Sequence, residues 1–279
     1  MAKVAFAGLN AHRSFPGDCW HADGVVHIKD EIAEETPVAL IYNRLPLVVM
    51  MASPQYLADF AVGFSVSEGI VVSSSEILDL DVRKHPEGIE INLEITPARF
   101  ANLESKQRNL TGRTGCGLCG AQTLAQAIRH PQSVSKTVTI EQRVIQRALT
   151  LLPHHQPLND FTGSVHAAAW VSLTGEIELV REDVGRHNAL DKLIGALLSR
   201  GQSFDQGWLL LTSRASYEMI QKAAVAGIEL VVAISAPTAL AIRLARETGV
   251  TLIAFARDGR HTIYSNPQRL IQLSQALVA

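Results

Sequence analysis

Apolar and polar positions alternate in short runs through the first hundred residues. "ILDLDVRK" (77–84) and "GIEINLEI" (88–95) change character at almost every residue, the period of a half-buried strand. His85-Pro86-Glu87-Gly88 lies between them and predicts a hairpin. "PVALIYNRLPLVVMMA" (37–52) is dense in Val, Leu and Met and reads as two strands around a turn at Asn43-Arg44. Ser53-Pro54 then offers an N-cap and a first helical position for "QYLADFAVGFSVSEG", which stops at Gly69. Residues 1–21 look like a loose tail, and "ARFANLESKQRNLTGRT" (98–114) is polar and irregular, which suits a linker.

The second half has another rhythm. A helix is expected over "AQTLAQAIRH" (121–130) and another near 140–152; "SVHAAAWVSL" and "EIELVRE" then flank a turn at Thr174-Gly175. From there "GWLLLTS", "SYEMIQKAAVAG", "ELVVAIS", "TALAIRLARETG" and "VTLIAFA" alternate apolar strand with amphipathic helix, which predicts βαβ units and a parallel sheet covered on both faces. The expected fold class is therefore α/β with an α+β N-terminal part. The expected divisions are a tail over 1–21, a small β-rich domain over 22–110 and an α/β domain over 111–279. Right-handed crossovers place the segments leaving the strands on one sheet edge: Arg181–Asn188, Thr212–Ser216, Ser235–Thr238 and Ala256–Arg260. Each taken singly reads as an ordinary helix cap, and Asp258-Gly259 as a hairpin turn. Together, with helix N-termini and Arg186, Arg214, Arg257 and Arg260, they point to an anionic, nucleotide-like ligand.

Composition narrows the function classes. The 279 residues are 47% hydrophobic and carry a formal charge of −2, which leaves no basic footprint for nucleic acid. No run approaches the roughly 20 apolar residues of a membrane span, and the N-terminal apolar run is too short and broken for a signal peptide. Three cysteines are too few for a disulfide framework, which suits a reducing, cytoplasmic setting.

Two of those cysteines sit in "TGRTGCGLCG" (111–120), where three chemistries overlap. Gly115-Cys-Gly117-Leu-Cys-Gly120 spells a dinucleotide fingerprint, but no strand precedes it. Cys116-Gly-Leu-Cys119 also follows His85-Pro-Glu87, the order of a zinc deaminase. There, Gly115 replaces the usual proline, and His85 and Glu87 belong to a strand turn rather than a helix start. A closed structural zinc site wants four ligands, and no second CxxC exists. A redox pair also lacks its preceding strand. What remains is a reactive thiolate on a glycine-flanked loop, its pKa lowered by the helix that follows and by Arg108 or Arg113.

Taken together, the motifs resemble the formate dehydrogenase accessory sulfurtransferases, the FdhD/NarQ family. The resemblance runs through "ETPVALIYN" (35–43), "LADFAVGFSVSEGI" (57–70), "GCGLCG" (115–120), "FTGSVHAAA" (161–169), "REDVGRHNALDK" (181–192), "SRASYEMIQKA" (213–223), "SAPTALAI" (235–242) and "FARDGR" (255–260). Ser164 and Ser65 are small departures and touch neither cysteine. The resemblance implies a larger domain similar to the cytidine deaminase fold, an α/β sandwich. It implies sulfur taken from a cysteine desulfurase as a persulfide on Cys116, with Cys119 assisting, and passed to the molybdenum cofactor, a bis-molybdopterin guanine dinucleotide, for formate dehydrogenase. It assigns the guanine dinucleotide, or GDP, to Phe255, Ala256, Arg257, Asp258, Gly259 and Arg260, and implies a homodimer without zinc. A zinc-dependent deaminase-like hydrolase and a cofactor-binding chaperone without catalysis are the alternatives.

Overall fold

The computed structural model describes residues 10–108 and 130–271. Its N-terminal lobe is built on a four-stranded sheet of order β4-β3-β6-β5, from β3 (Thr36–Tyr42), β4 (Leu45–Ala52), β5 (Ile77–His85) and β6 (Gly88–Ile95). Both expected hairpins form. Asn43 and Arg44 carry the β3–β4 turn with φ of 46° and 70°, and His85 pairs with Gly88 across the β5–β6 turn. Helix α1 (Leu57–Ser67) packs on this sheet through Leu57, Phe60, Ala61 and Phe64.

Three parts of this lobe depart from the sequence pattern. Residues 12–21, expected to be a loose tail, form β1 (His12–His21), which pairs antiparallel with β2 (Gly24–Ala33). The ribbon buries little, and its base is held by Ala11, Leu158 and Val165 and by His12 stacked on Phe161 at 5.0 Å. No strong alternation therefore marks it in the sequence. Residues 98–108, part of the expected linker over 98–114, fall in α2 (Pro97–Arg108). Its polar sequence lacks an apolar stripe; among its described side chains, Leu103 and Phe100 pack on the core and Arg99 donates to Glu76 at 2.9 Å. Helix α1 begins at Leu57 rather than at Pro54, because Ser53 is engaged elsewhere. Its N–H donates to Asp183 Oδ2 at 3.0 Å, its hydroxyl accepts from Val184 N at 3.1 Å, and its carbonyl accepts from Lys192 Nζ at 2.8 Å.

The larger lobe carries a six-stranded sheet of order β13-β12-β11-β10-β8-β9. Its strands are β8 (His166–Ser172), β9 (Ile177–Asp183), β10 (Gly207–Leu211), β11 (Leu230–Ala233), β12 (Thr251–Arg257) and β13 (Arg260–Ile263). Strands β10, β11 and β12 are parallel as expected, whereas β8, β9 and β13 pair antiparallel through tight hairpins, so the sheet is mixed. Both faces are covered. Trp170, Leu209, Leu211, Val231 and Leu252 point towards α5 (Arg186–Ser199), α6 (Tyr217–Ala226) and α7 (Ala239–Thr248). Trp208, Leu210, Val232 and Ile253 point the other way, where α3 (Gln142–Leu151) and the short pair β7 (Ile140–Glu141) and β14 (Leu270–Ile271) pack. Helix α4 (Pro157–Thr162) closes the sheet near β9.

The lobes meet where α1 crosses α5. A Cβ on Gly63 would stand 1.7 Å from the Asp191 carbonyl oxygen, and one on Gly195 would stand 1.9 Å from that of Asp59. Two glycines thus bring the helix backbones into contact. Among the described residues, no helix is long and apolar enough to cross a membrane.

Candidate functional site

Strand direction decides where the chemistry gathers. Because β9 is antiparallel to β8 and β8 to β10, β9 runs with β10, β11 and β12, and all four end on one edge of the sheet. The four segments expected there are there: after β9 at Asp183, after β10 at Leu211, after β11 at Ala233 and after β12 at Arg257. An isolated bridge between Ala215 and Pro237 ties the two middle loops together.

At one end of this edge lies the 255–260 segment. Strand β12 carries Phe255 and buried Ala256, and its register against β13 slips between Ala254 and Arg257. At that bulge Phe255 has φ of 49° and is 38% exposed, an unusual conformation for a bulky residue and a pointer to function. Its ring leans on Tyr264 with centroids 6.5 Å apart. Asp258 and Gly259 form the hairpin turn, with Gly259 at φ of 71° and its N–H donating to Gln146 Oε1 at 2.9 Å. Arg257 and Arg260 face one another across the turn, both exposed and neither in an ion pair among the described residues. The turn is the hairpin expected of Asp258-Gly259, and it holds two guanidinium groups at the rim.

At the other end lies a corner around the start of β8. His187, in the first turn of α5, meets Glu218 Oε2, in the first turn of α6, at 2.7 Å, and Arg186 approaches the same oxygen at 3.9 Å. Burial, then Arg186, Arg214 and His187, pushes the His166 imidazole below its usual range, although Asp183 works the other way. Glu218 is drawn below the carboxylate range: burial opposes its ionisation, but His187 and Arg186 outweigh it. Strands β9 and β12 lie four spacings of about 4.8 Å, about 19 Å, apart, whereas the loop after β10 that carries Arg214 and leads to Glu218 lies two spacings, about 10 Å, from β12. The pattern of the sequence flags Arg186 and Arg214. It does not flag Glu218, because an acidic residue in a first helical turn is unremarkable on dipole grounds.

Behind the edge runs a buried seam of charge. Lys222 Nζ bonds Glu68 Oε1 at 2.8 Å, Ser67 Oγ at 2.9 Å and both Asp191 oxygens at 3.0 Å. Lys192 Nζ meets Asp183 Oδ2 at 2.6 Å. Asp183 Oδ1 accepts from Gly185 N at 2.8 Å and Asn188 Nδ2 at 3.0 Å. Much of the "REDVGRHNALDK" segment, prominent in the sequence, therefore serves to join the lobes.

The hairpin position of His85 and Glu87 is the one expected. His85 ends β5 and reaches Glu90 Oε2 at 3.2 Å, and Glu87 sits on the turn, not at a helix start. Cys116, Cys119 and the helix expected over 121–130 lie outside the described residues. His130, where the description resumes, bonds Glu247 at the end of α7 at 2.5 Å.

A family model described as the FdhD/NarQ family matches residues 33–271. The chain belongs to the FdhD/NarQ family. A protein named sulfur carrier protein FdhD from Cupriavidus necator is 48% identical over 259 residues, 93% of this chain and 90% of that protein. One of the same name from Xanthomonas euvesicatoria is 51% identical over 243 residues, 87% of this chain and 86% of that one. The crystal structure of a proposed formate dehydrogenase accessory protein from Desulfotalea psychrophila superimposes with a TM-score of 0.72 at 24% identity, covering 94% of this chain and all of that one, which establishes the shared fold.

Proposed function

We propose that this FdhD/NarQ-family chain is a cytoplasmic sulfurtransferase of formate dehydrogenase maturation. Cys116 takes sulfur from a cysteine desulfurase and delivers it to the molybdenum cofactor as bis-molybdopterin guanine dinucleotide, which is a substrate here. The observation that carries this reading is the near full-length identity to proteins named sulfur carriers. In the loading step the Cys116 thiolate attacks the terminal sulfur of the donor's persulfide. One S–S bond forms at Cys116, the donor's S–S bond breaks, and the donor cysteine leaves as thiolate, so no external oxidant is needed. Cys119 assists transfer or release, and the two thiols stay free of zinc.

The edge of the larger sheet suits the other half of the task. Phe255 offers a ring to a base, and Arg257 and Arg260 offer paired donors to phosphate. Gly259 leaves the turn open to backbone approach. In this reading the segment Phe255–Arg260 forms one wall of the guanine-nucleotide site, and the protein works as a homodimer.

The test is intact mass after incubation with a cysteine desulfurase and cysteine, with GDP titration in parallel. The reading expects one added sulfur that reduction removes, and GDP affinity weakened roughly ten- to hundredfold by Arg260→Ala with loading retained. A protein that gains no reducible sulfur from any desulfurase, yet still activates formate dehydrogenase with both cysteines replaced, is the chaperone of the alternative reading.

A further inference from the structure

The ribbon of β1 and β2 has two unlike faces. Across its register, His12, Ser14 and Asp18 share one face with Glu31 and His27, and the polar groups there answer one another: His12 Nδ1 meets Glu31 Oε2 at 2.6 Å, Ser14 donates to Glu31, and His27 bonds Asp18. His12, which stacks on Phe161, turns this face towards α4 of its own chain. The opposite face carries Phe15, Cys19, Val26, Ile28 and Ile32. Phe15 is 52% exposed, Val26 52%, Ile28 40% and Ile32 44%. The fixed charges on that face are Arg13, tied to Glu34 at 2.7 Å, and Asp30.

A two-stranded ribbon is marginally stable in water and needs a third strand or a covered apolar face. Six of the fifteen large apolar side chains exposed among the described residues fall on these two strands, a concentration that marks a contact surface. The ribbon precedes, but for Ala33, the residues matched by the family model, and it holds none of the residues of the sheet edge.

We propose that this apolar face is the surface by which the chain meets a second copy of itself, each ribbon lying on the body of the other. The inference rests on the homodimer of the reading above and names its contact. Area selects the occupant. Ten residues at about 3.4 Å and two strands at about 4.8 Å make a face of about 330 Å². A different protein covering it once would bury about 650 Å², counting both partners, which is the size of a packing contact. A two-fold axis repeats the contact, so two ribbons bury about 1,300 Å², within the range of about 1,200–2,000 Å² of a stable interface. Ribbon face against ribbon face would give only half of that. The charges agree, since one base and one acid neither repel a second copy nor select an oppositely charged partner.

The experiment is sedimentation velocity of the full chain over a dilution series, with peptide mapping of Cys19 alkylation in parallel. The proteins are wild type, the double variant Phe15→Asp/Ile28→Asp, Lys29→Asp on the ribbon's polar face, and Val72→Asp, an exposed apolar position outside the ribbon. Equal thermal midpoints of wild type and double variant, at a dilution where both are monomeric, verify the fold. Wild type should dimerise, and its Cys19 should be alkylated more slowly as concentration rises. The double variant sets two carboxylates on a face that becomes buried. It should move the monomer–dimer midpoint to a concentration roughly a hundredfold higher or more and lose the protection of Cys19. Lys29→Asp and Val72→Asp should dimerise as wild type does. A dimer that the double variant leaves intact, or that Val72→Asp weakens equally, would overturn the ribbon contact and leave the homodimer standing. A wild type that stays monomeric at every concentration would overturn both. Cys19 protected at every dilution would put a segment of the same chain on the face and overturn the contact with a second copy.

Discussion

Charge is gathered in two regions of this molecule and handled in opposite ways. In the seam where α1 crosses α5 and α6, every buried charge has a close partner: Lys192 with Asp183, and Lys222 with Asp191 and Glu68. At the sheet-edge corner, Arg186 Nε and Ser216 Oγ are buried without partners, and Arg214 stands free of ion pairs among the described residues. The seam is closed and the corner is open. Desolvated charge is costly unless it is answered, and in the seam it is answered within the fold, where it holds the lobes together.

The strongest way to break this contrast is Lys192→Met. Lys192 and Asp183 are both wholly buried, and removing the ammonium leaves the carboxylate without its counter-charge. Losing one partner of a buried pair costs about 3–5 kcal/mol, read as a lower midpoint in urea unfolding. Next comes Gly195→Ala, which sets a methyl 1.9 Å from the Asp59 carbonyl oxygen and forces the helices apart. Overpacking of this kind costs about 1–3 kcal/mol, and the backbone nature of the clash argues for the upper end. Neither change alters a residue of the 255–260 segment, and neither should alter GDP affinity at a temperature where the variant is folded.

A pH series sharpens the other side. Burial, Arg186, Arg214 and His187 hold the folded-state pKa of His166 below its usual 6.5. Below that value the unfolded chain binds a proton that the folded chain resists. Stability from this group is therefore complete above the unfolded pKa and is lost as pH falls through the folded one. The thermal midpoint of wild type should drop more steeply with acidification than that of His166→Gln; parallel curves would mean His166 feels no such field. The smallest effect belongs to Arg214→Ala, whose stability should stay within about 0.5 kcal/mol of wild type because its side chain is exposed and forms no ion pair among the described residues.

How far the sequence reveals all this depends on whether a residue's role is local. The β3–β4 and β5–β6 hairpins and the strand–helix alternation after residue 205 are legible because period and turn chemistry are written in neighbouring residues. The ribbon of β1 and β2 and the polar helix α2 are not, since they bury too few side chains to impose a pattern. Ser53 reads as an N-cap from its neighbours, yet serves Asp183 and Lys192 more than a hundred positions away. At the site, Arg186, Arg214, Arg257 and Arg260 are legible once the loops are assigned to one edge. Glu218 and the orphaned hydroxyl of Ser216 are not, because only the docking of α5 against α6 gives them meaning.

The central claim, sulfur carriage on Cys116, is tested most directly by peptide mass mapping. Wild type, Cys116→Ala, Cys119→Ala and, as a control, Cys19→Ser are each loaded with a cysteine desulfurase and cysteine. The account predicts a reducible extra sulfur on the Cys116 peptide in wild type, Cys119→Ala and Cys19→Ser, and none in Cys116→Ala, which keeps its fold but no longer activates formate dehydrogenase. A stable extra sulfur on Cys119 alone, with Cys116→Ala fully active, would contradict it.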